Sequence, residues 1–369
     1  MKTLNNIDSV EGKRVLVRSA LNVSMNEDTV SGTYRLEKAL PTILELLKKK
    51  AKVILLSHRS DEKGSLKGVY EYLKATLPLS YVDDVVGSKA QEAVAKLEPG
   101  HALLLENLRW NKGEKENDES FTKALAALGD VYVNDDFPVS HRAHASIVGI
   151  PKLLPSYAGK QFLVEYEHLK RARTPESPSV AIIGGAKFLT KQPLILELLE
   201  SYDRLLIGGA LANDFLLAQG HEVGKSLVSR SEEILPLLKN SKLVVPHDVI
   251  VEGPNGKEHK KVEEVNPNDS IFDVGPETIA SFAPRITKAK SILWNGPLGN
   301  FEQGYVDATE EVARHIAKAN GTSIVGGGDT VTAINNLKLN EQFTFVSTAG
   351  GAMLDFISNG TLVGVEALT

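Results

Sequence analysis

The chain has no cysteine in 369 residues, so neither disulfides nor thiolate metal sites are open to it. It has no apolar run long enough to span a bilayer, and the residues after Met1-Lys2-Thr3 are polar where a signal peptide would be apolar. A cytoplasmic protein with no membrane partner is expected. A basic excess is also missing: 42 Lys and Arg stand against 47 Asp and Glu, and the net charge of −5 argues against a nucleic-acid partner. No G-x-G-x-x-G follows the first apolar strand, which weakens a nicotinamide-dependent dehydrogenase. Gly220 to Ser226 imitates a P-loop, but three residues instead of four separate its glycines. A helical run, Phe215-Leu216-Leu217, precedes it where a strand is required.

Glycine is what the second half has in plenty. Apolar runs of strand character stop at Gly184-Gly185-Ala186-Lys187, Gly208-Gly209, Trp294-Asn295-Gly296-Pro297, Gly326-Gly327-Gly328-Asp329-Thr330 and Ser347-Thr348-Ala349-Gly350-Gly351. In a parallel sheet the strand ends that feed helices share one edge, so these loops form one surface where backbone N–H groups can approach an anion. Single glycine loops are ordinary turns. Five of them, with Lys187 and Asp329 among them, point to a nucleotide site, the lysine suiting phosphate and the aspartate suiting Mg²⁺ carried on it.

The first half alternates in the same way. Arg14–Arg18, Lys52–Leu56, His101–Leu105 and Asp130–Val133 read as buried strands, and Leu36, Leu40, Ile43, Leu44 and Leu47 fall at helical spacing, as do Leu66, Val69, Tyr70 and Leu73. Alternation of this kind predicts parallel sheets covered on both faces. The expected fold is α/β: two Rossmann-like three-layer domains joined by a hinge helix. The boundaries are residues 1–153 with a returning tail of about 354–369, an interdomain helix at 154–173 flanked by prolines, and 174–353. Arginine and histidine mark the strand ends of the first half, at Arg35, His58, Arg109, His141, Arg142 and His144. His141-Arg142-Ala143-His144 is a poor metal pair, since the arginine between the histidines repels a cation; an anion suits it better.

Taken in order, these segments resemble phosphoglycerate kinase over nearly the whole chain. The resemblance rests on Arg14 to Asn22, Leu105 to Arg109, Tyr132 to Ser146, Gly184 to Lys191, Leu206 to Asn213, Val223 to Leu227, Trp294 to Glu302, Gly326 to Thr330 and Val346 to Ala352. It implies a glycolytic kinase that reversibly moves phosphate between 1,3-bisphosphoglycerate and ADP, giving 3-phosphoglycerate and ATP, with Mg²⁺ as cofactor. It also implies hinge-bending closure that keeps water from the acyl phosphate. A monomer is expected.

By the same resemblance, Arg35 and Lys187 match the clamps on the transferring phosphoryl group, with the amides of Gly327 and Gly328, and Asp329 matches the Mg²⁺ ligand. Gly184, Gly185, Lys191, Gly208, Gly209, Asn295, Pro297, Glu302 and Thr330 match the nucleotide cleft. Asn22, His58, Arg109 and Arg142 match phosphoglycerate contacts. The chain departs from the family where an aspartate that accepts the substrate hydroxyl is Ala20, where Thr190 and Ala349 replace an aspartate and a glycine, and in a shortened loop after His58. There either Arg59 supplies a phosphate contact or Asp61 stands in its place. These departures leave two alternatives beside the kinase: a catalytically weakened nucleotide-binding paralogue acting as an interaction protein, and a kinase for another acyl phosphate.

Overall fold

The computed structural model describes residues 1–26, 29–186 and 188–369. The chain divides into two units, Met1–Glu167 with Thr361–Thr369, and His168–Gly360. In the first unit β1 (Arg14–Ser19), β2 (Lys52–Leu56), β3 (Leu79–Tyr81), β4 (Ala102–Leu104), β5 (Val131–Asp135) and β6 (Ser156–Ala158) form one sheet in the order β3-β4-β2-β1-β5-β6. Every neighbouring pair is parallel. Val15–Ser19, Val53–Leu56 and all of β5 are buried, which is why these strands read as continuous apolar runs rather than alternating ones.

The faces of this sheet are covered by α1 (Tyr34–Lys48), α2 (Lys67–Leu73), α3 (Ser88–Lys96), α4 (Lys112–Glu116) and α5 (Glu119–Ala126). Helix α1 buries Leu36, Ala39, Ile43, Leu46 and Leu47. Leu44, which the spacing put on that face, is 44% exposed. It lies one residue-step, about 100°, round the helix from Ile43 and falls off the edge of the stripe. Helix α6 (Lys160–Ala172) contains the boundary between the units; of the residues before it, 156–158 are strand β6. Its first turn is held by Asp135 at the end of β5, whose Oδ1 accepts from the Phe162 amide at 3.0 Å.

The second unit repeats the plan. Strands β7 (Ser179–Ile183), β8 (Arg204–Ile207) and β9 (Leu243–Val244) are followed by an antiparallel insert of β10 (Asp248–Gly253), β11 (Gly256–Lys261) and β12 (Ser270–Val274). The main sheet then resumes with β13 (Ser291–Asn295), β14 (Thr322–Gly326) and β15 (Phe345–Val346). Its order is β9-β8-β7-β13-β14-β15, all parallel. Helices α7 (Phe188–Ser201), α8 (Ala210–Ala218), α9 (Pro276–Lys288), α10 (Asp307–Ala317), α11 (Gly328–Asn336) and α12 (Gly351–Asn359) complete the unit, and α13 (Val363–Glu366) returns to the first, where the Gly364 amide donates to Ser140 O at 2.8 Å.

The order reverses at β7, with β8 on one side and β13 on the other. Ligands of open parallel sheets settle in the crevice at the carboxyl ends of such strands. Here those ends are the Gly184 and Asn295 loops. The insert is a polar ribbon over a small apolar cluster that includes Leu216, Val249, Val251 and Ile271, and it supplies one wall of that crevice.

Candidate active site

In the first unit the carboxyl ends of β1, β2, β4 and β5 deliver the basic residues to one edge. At the centre is Arg18, fully buried at the end of the apolar run of β1. Its Nη1 is ion-paired with Asp136, its Nε donates to Ser146 Oγ at 2.9 Å, and its Nη2 meets His58 Nδ1 at 2.7 Å. A guanidinium only donates, so Nδ1 of His58 is the acceptor and the ring's proton sits on Nε2. Burial, with Arg18, Arg109, His144 and Arg142 close by, pushes the His58 pKa far down and fixes it as a neutral Nε2–H donor. His144 is pushed down to about 4 by burial and then by Arg18, Arg109 and Arg142.

Neither Arg109 nor Arg142 has a carboxylate within ion-pair distance among the described residues. Burial, then Arg142 and Arg18, lower the Arg109 pKa against the opposing pull of Glu114 and Asp136. Glu114 is the other carboxylate here. It is fully buried, with its pKa raised by burial, and both its oxygens are taken by the amide and hydroxyl of Ser146.

Asn22 and Arg35 come together, Arg35 Nη1 donating to Asn22 O at 3.0 Å. Asn22 also grips the shortened loop, with Ser60 N donating to Oδ1 at 2.9 Å and Nδ2 donating to Ser60 Oγ at 2.8 Å. Asn107 closes the loop from beneath, accepting from the Arg59 amide at 3.1 Å and donating to Gly64 O at 2.9 Å. The Arg59 guanidinium is turned to Ser65 O, 3.4 Å away, while Asp61 is exposed and caps the Lys63 amide.

In the second unit the glycine loops pack backbone against backbone. The Gly184 amide donates to Asn295 O at 2.9 Å and the Gly185 amide to Pro297 O at 3.0 Å. A Cβ on Gly184 would lie 2.0 Å from Pro297 O, so no other residue fits. The Gly209 amide reaches Leu298 O at 2.8 Å, and Thr330 Oγ1 accepts from Gly296 N at 3.1 Å, drawing four strand ends together. Helices α8, α11 and α12 have Gly209, Gly327 and Gly350 as their N-cap residues, so none has a side-chain cap. In α11 the amides of Gly328, Asp329 and Thr330 have no acceptor among the described residues and are left for a ligand, whereas in α8 the Leu211 amide already donates to Gly185 O at 2.8 Å; Gly327 takes φ 104°, a conformation that favours glycine.

Beside these loops is a cavity of about 500 Å³ lined by Gly185, Lys225, Leu227, Phe272, Pro297, Phe301, Glu302 and Asp329, among others. Phe272 is backed by the Tyr305 ring, stacked at 4.8 Å. Apolar walls with a few polar groups at one end suit a base with a phosphate tail. Lys191 donates its Nζ to Gly184 O, wedged between the Gly185 and Gly296 loops, and burial lowers its pKa to about 8. Asp329, in the first turn of α11, is exposed and makes no hydrogen bond or ion pair among the described residues. Gly208 packs against Leu298. Lys187 lies outside the described residues. Thr190 is exposed on α7, and Ala349 is buried with its amide on Ser347 Oγ at 3.1 Å.

Residues not singled out from the sequence are Arg18, Asp136, Glu114 and Ser146 in the basic cluster, and Lys225 and Phe272 in the cavity. Arg18 carried a signal: an arginine inside the run Val15-Leu16-Val17-Arg18 must have a buried partner. Phe272 carried none, because it comes from the polar insert.

The phosphoglycerate kinase family model matches residues 4–360. Phosphoglycerate kinases of Sinorhizobium fredii and Rhodospirillum centenum are 42% and 41% identical, each match spanning 100% of this chain and 98% and 99% of theirs. Among solved structures, the phosphoglycerate kinase of Coxiella burnetii superposes with a TM-score of 0.85 at 37% identity, covering 99% of this chain and 97% of that one. That of Pyrococcus horikoshii gives 0.89 at 28%, covering 100% and 98%. These matches do not favour a dehydrogenase, a weakened interaction protein or a kinase for another acid. With a basic cluster and a set of glycine loops at the carboxyl edges of two parallel sheets, the chain belongs to the phosphoglycerate kinase family, the glycolytic enzymes that exchange a phosphoryl group between 1,3-bisphosphoglycerate and ADP.

Proposed function

We propose that the first unit binds the phosphoglycerate, that the second binds Mg²⁺-ATP or Mg²⁺-ADP, and that the enzyme acts as a monomer in the cytoplasm. The observation that supports the assignment is the gathering of Arg109 and Arg142 around His58 with no carboxylate in ion-pair range of either arginine among the described residues. Cations held against their mutual repulsion gain most from a bound anion, and guanidinium groups engage phosphate and carboxylate oxygens in pairs. His58 contributes a neutral Nε2–H. Asn22, Arg35 and Arg59 border the same edge, with Arg35 assigned to the transferring phosphoryl group.

In the second unit the amides of Gly327 and Gly328 are assigned to the phosphoryl group in flight, where preorganised donors act without reorganising. Lys191 is assigned to the nucleotide phosphates, Lys187 to the same phosphoryl as Arg35, and Gly184, Gly185, Gly208, Gly209, Asn295, Pro297, Glu302 and Thr330 to shaping the cleft. Asp329 is the residue to hold Mg²⁺, since a free exposed carboxylate is the hard oxygen donor that ion takes. When bound, Mg²⁺ neutralises charge on the nucleotide phosphates. In the direction of ATP use, a carboxylate oxygen of 3-phosphoglycerate bonds to the γ-phosphorus as the bond to ADP breaks.

Calorimetric titration of Arg109→Ala tests the assignment. The variant should bind 3-phosphoglycerate at least tenfold more weakly and ATP as before. Weakened ATP binding with 3-phosphoglycerate untouched would reverse the roles of the two units.

A further inference from the structure

Strand β1 brings no carboxylate of its own to the basic cluster, because the residue two positions before Asn22 is Ala20, only 5% exposed. The neighbouring strand does. β1 and β5 pair in parallel with Arg18 opposite Asn134 and Ser19 opposite Asp135. Both strands end there, Ala20 and Asp136 being the next residue of each, and the ion pair with Arg18 puts the Asp136 side chain on the Arg18 side of the sheet. Asp135 turns to the other face and holds the first turn of α6.

The Asp136 side chain is 2% exposed. Its Oδ2 is ion-paired with Arg18 and lies 4.0 Å from His58 Nδ1. Its Oδ1 accepts no hydrogen bond among the described residues. Service as counter-ion to Arg18 accounts for Oδ2; Oδ1 has no donor among the described residues and is not sealed from solvent, so it stays open to the donor of a ligand in the cluster. Glu114 offers no alternative acceptor, because Ser146 occupies both its oxygens.

The substrate's chemistry limits what Oδ1 can take. 3-Phosphoglycerate carries a carboxylate and a phosphate, which a carboxylate repels, and one hydroxyl, which can donate. We propose that Asp136 is the acceptor for the substrate's 2-hydroxyl, a specificity-determining residue supplied just past the end of β5, where the residue just past the end of β1, Ala20, brings no carboxylate. This inference rests on the assignment of the basic cluster to the phosphoglycerate.

The test compares 3-phosphoglycerate with 3-phosphopropionate, the same acid without the hydroxyl, as dissociation constants on the wild type, Asp136→Asn, Asp136→Ala and the exchange Ala20→Asp/Asp136→Ala. The ratio of the two constants is internal to each variant, so partial destabilisation cancels. The wild type should prefer the hydroxy acid by about tenfold to a hundredfold, the scale of one hydrogen bond to a charged acceptor. Asp136→Ala should bring the ratio near one, Asp136→Asn, which keeps an uncharged acceptor oxygen, should lower it only in part, and the exchange should restore it. A wild type without preference, or single variants that weaken both acids alike, would reduce Asp136 to a counter-ion and overturn the proposal. The underlying assignment fails differently: Arg109→Ala would then leave the affinity for both acids unchanged.

Discussion

Lys191→Met sets two opposed effects of one ammonium against each other. In the free enzyme Nζ is wedged between the Gly185 and Gly296 loops, and burial lowers its pKa from 10.5 to about 8. Keeping that charge at neutral pH costs the folded state about 3 kcal/mol. Methionine removes this cost but also the charge-assisted bond to Gly184 O, worth about 1.5–3 kcal/mol. The variant should therefore be as stable as the wild type at pH 7, or more stable by about 1 kcal/mol. The sign with pH is fixed. Between about 8 and 10.5 the unfolded wild type holds a proton that the folded state has lost, so wild-type stability rises there and any advantage of the variant vanishes. ATP affinity moves the other way, because phosphate needs the protonated amine: the wild-type dissociation constant should be flat below pH 7 and weaken steadily above about 8. In the variant it should be about a hundredfold weaker at pH 7 and lack that pH dependence. Chemical unfolding and calorimetry at pH 6.5, 8 and 9.5 measure both effects. A wild-type ATP constant that is flat to pH 9.5, or a variant destabilised by several kcal/mol at pH 7, would refute the reasoning.

Three further outcomes are expected. Asp329→Asn should raise the Mg²⁺ concentration needed for half-maximal turnover about tenfold or more, with Glu302→Gln changing ATP affinity and leaving the Mg²⁺ curve in place; the same Mg²⁺ curve in both would move the ion elsewhere. Gly184→Ala forces its Cβ against the Pro297 carbonyl and should lower stability by about 1–3 kcal/mol and weaken ATP at least tenfold, read by thermal melting and titration. Arg59→Ala should raise the 3-phosphoglycerate KM about tenfold when that side chain leaves Ser65 O for the ligand, and an unchanged KM would leave it as a brace of its own loop.

The parallel sheets were legible because their strands are short apolar runs that end in glycine or in charge, and periodicity reports burial directly. The runs at 179–183, 204–207 and 52–56 could hardly be anything else. Strands β3, β6 and β9 escaped because they are short and only partly buried, so no apolar run marks them, whereas the equally short β4 and β15 are fully buried and readable. The insert β10 to β12 escaped because β11 carries charge on both faces, Lys257 and Lys261 on one and Glu258 and Lys260 on the other, and only the turn Pro254-Asn255 before Gly256 betrayed a hairpin. Of the site, backbone-governed parts were readable, since glycine loops announce themselves. The Arg18, Asp136 and His58 network was not, because it joins three strands through a register that no local pattern encodes.

Acid-dependent phosphoryl transfer is tested most directly by one assay: ATP consumption with Mg²⁺, followed with and without 3-phosphoglycerate, with the acyl phosphate product drawn off by a coupled reductive step. Turnover that requires 3-phosphoglycerate, and that falls at least tenfold in catalytic efficiency for Arg109→Ala while the KM for ATP holds, is the predicted result. Nucleotide binding without acid-dependent turnover would contradict it.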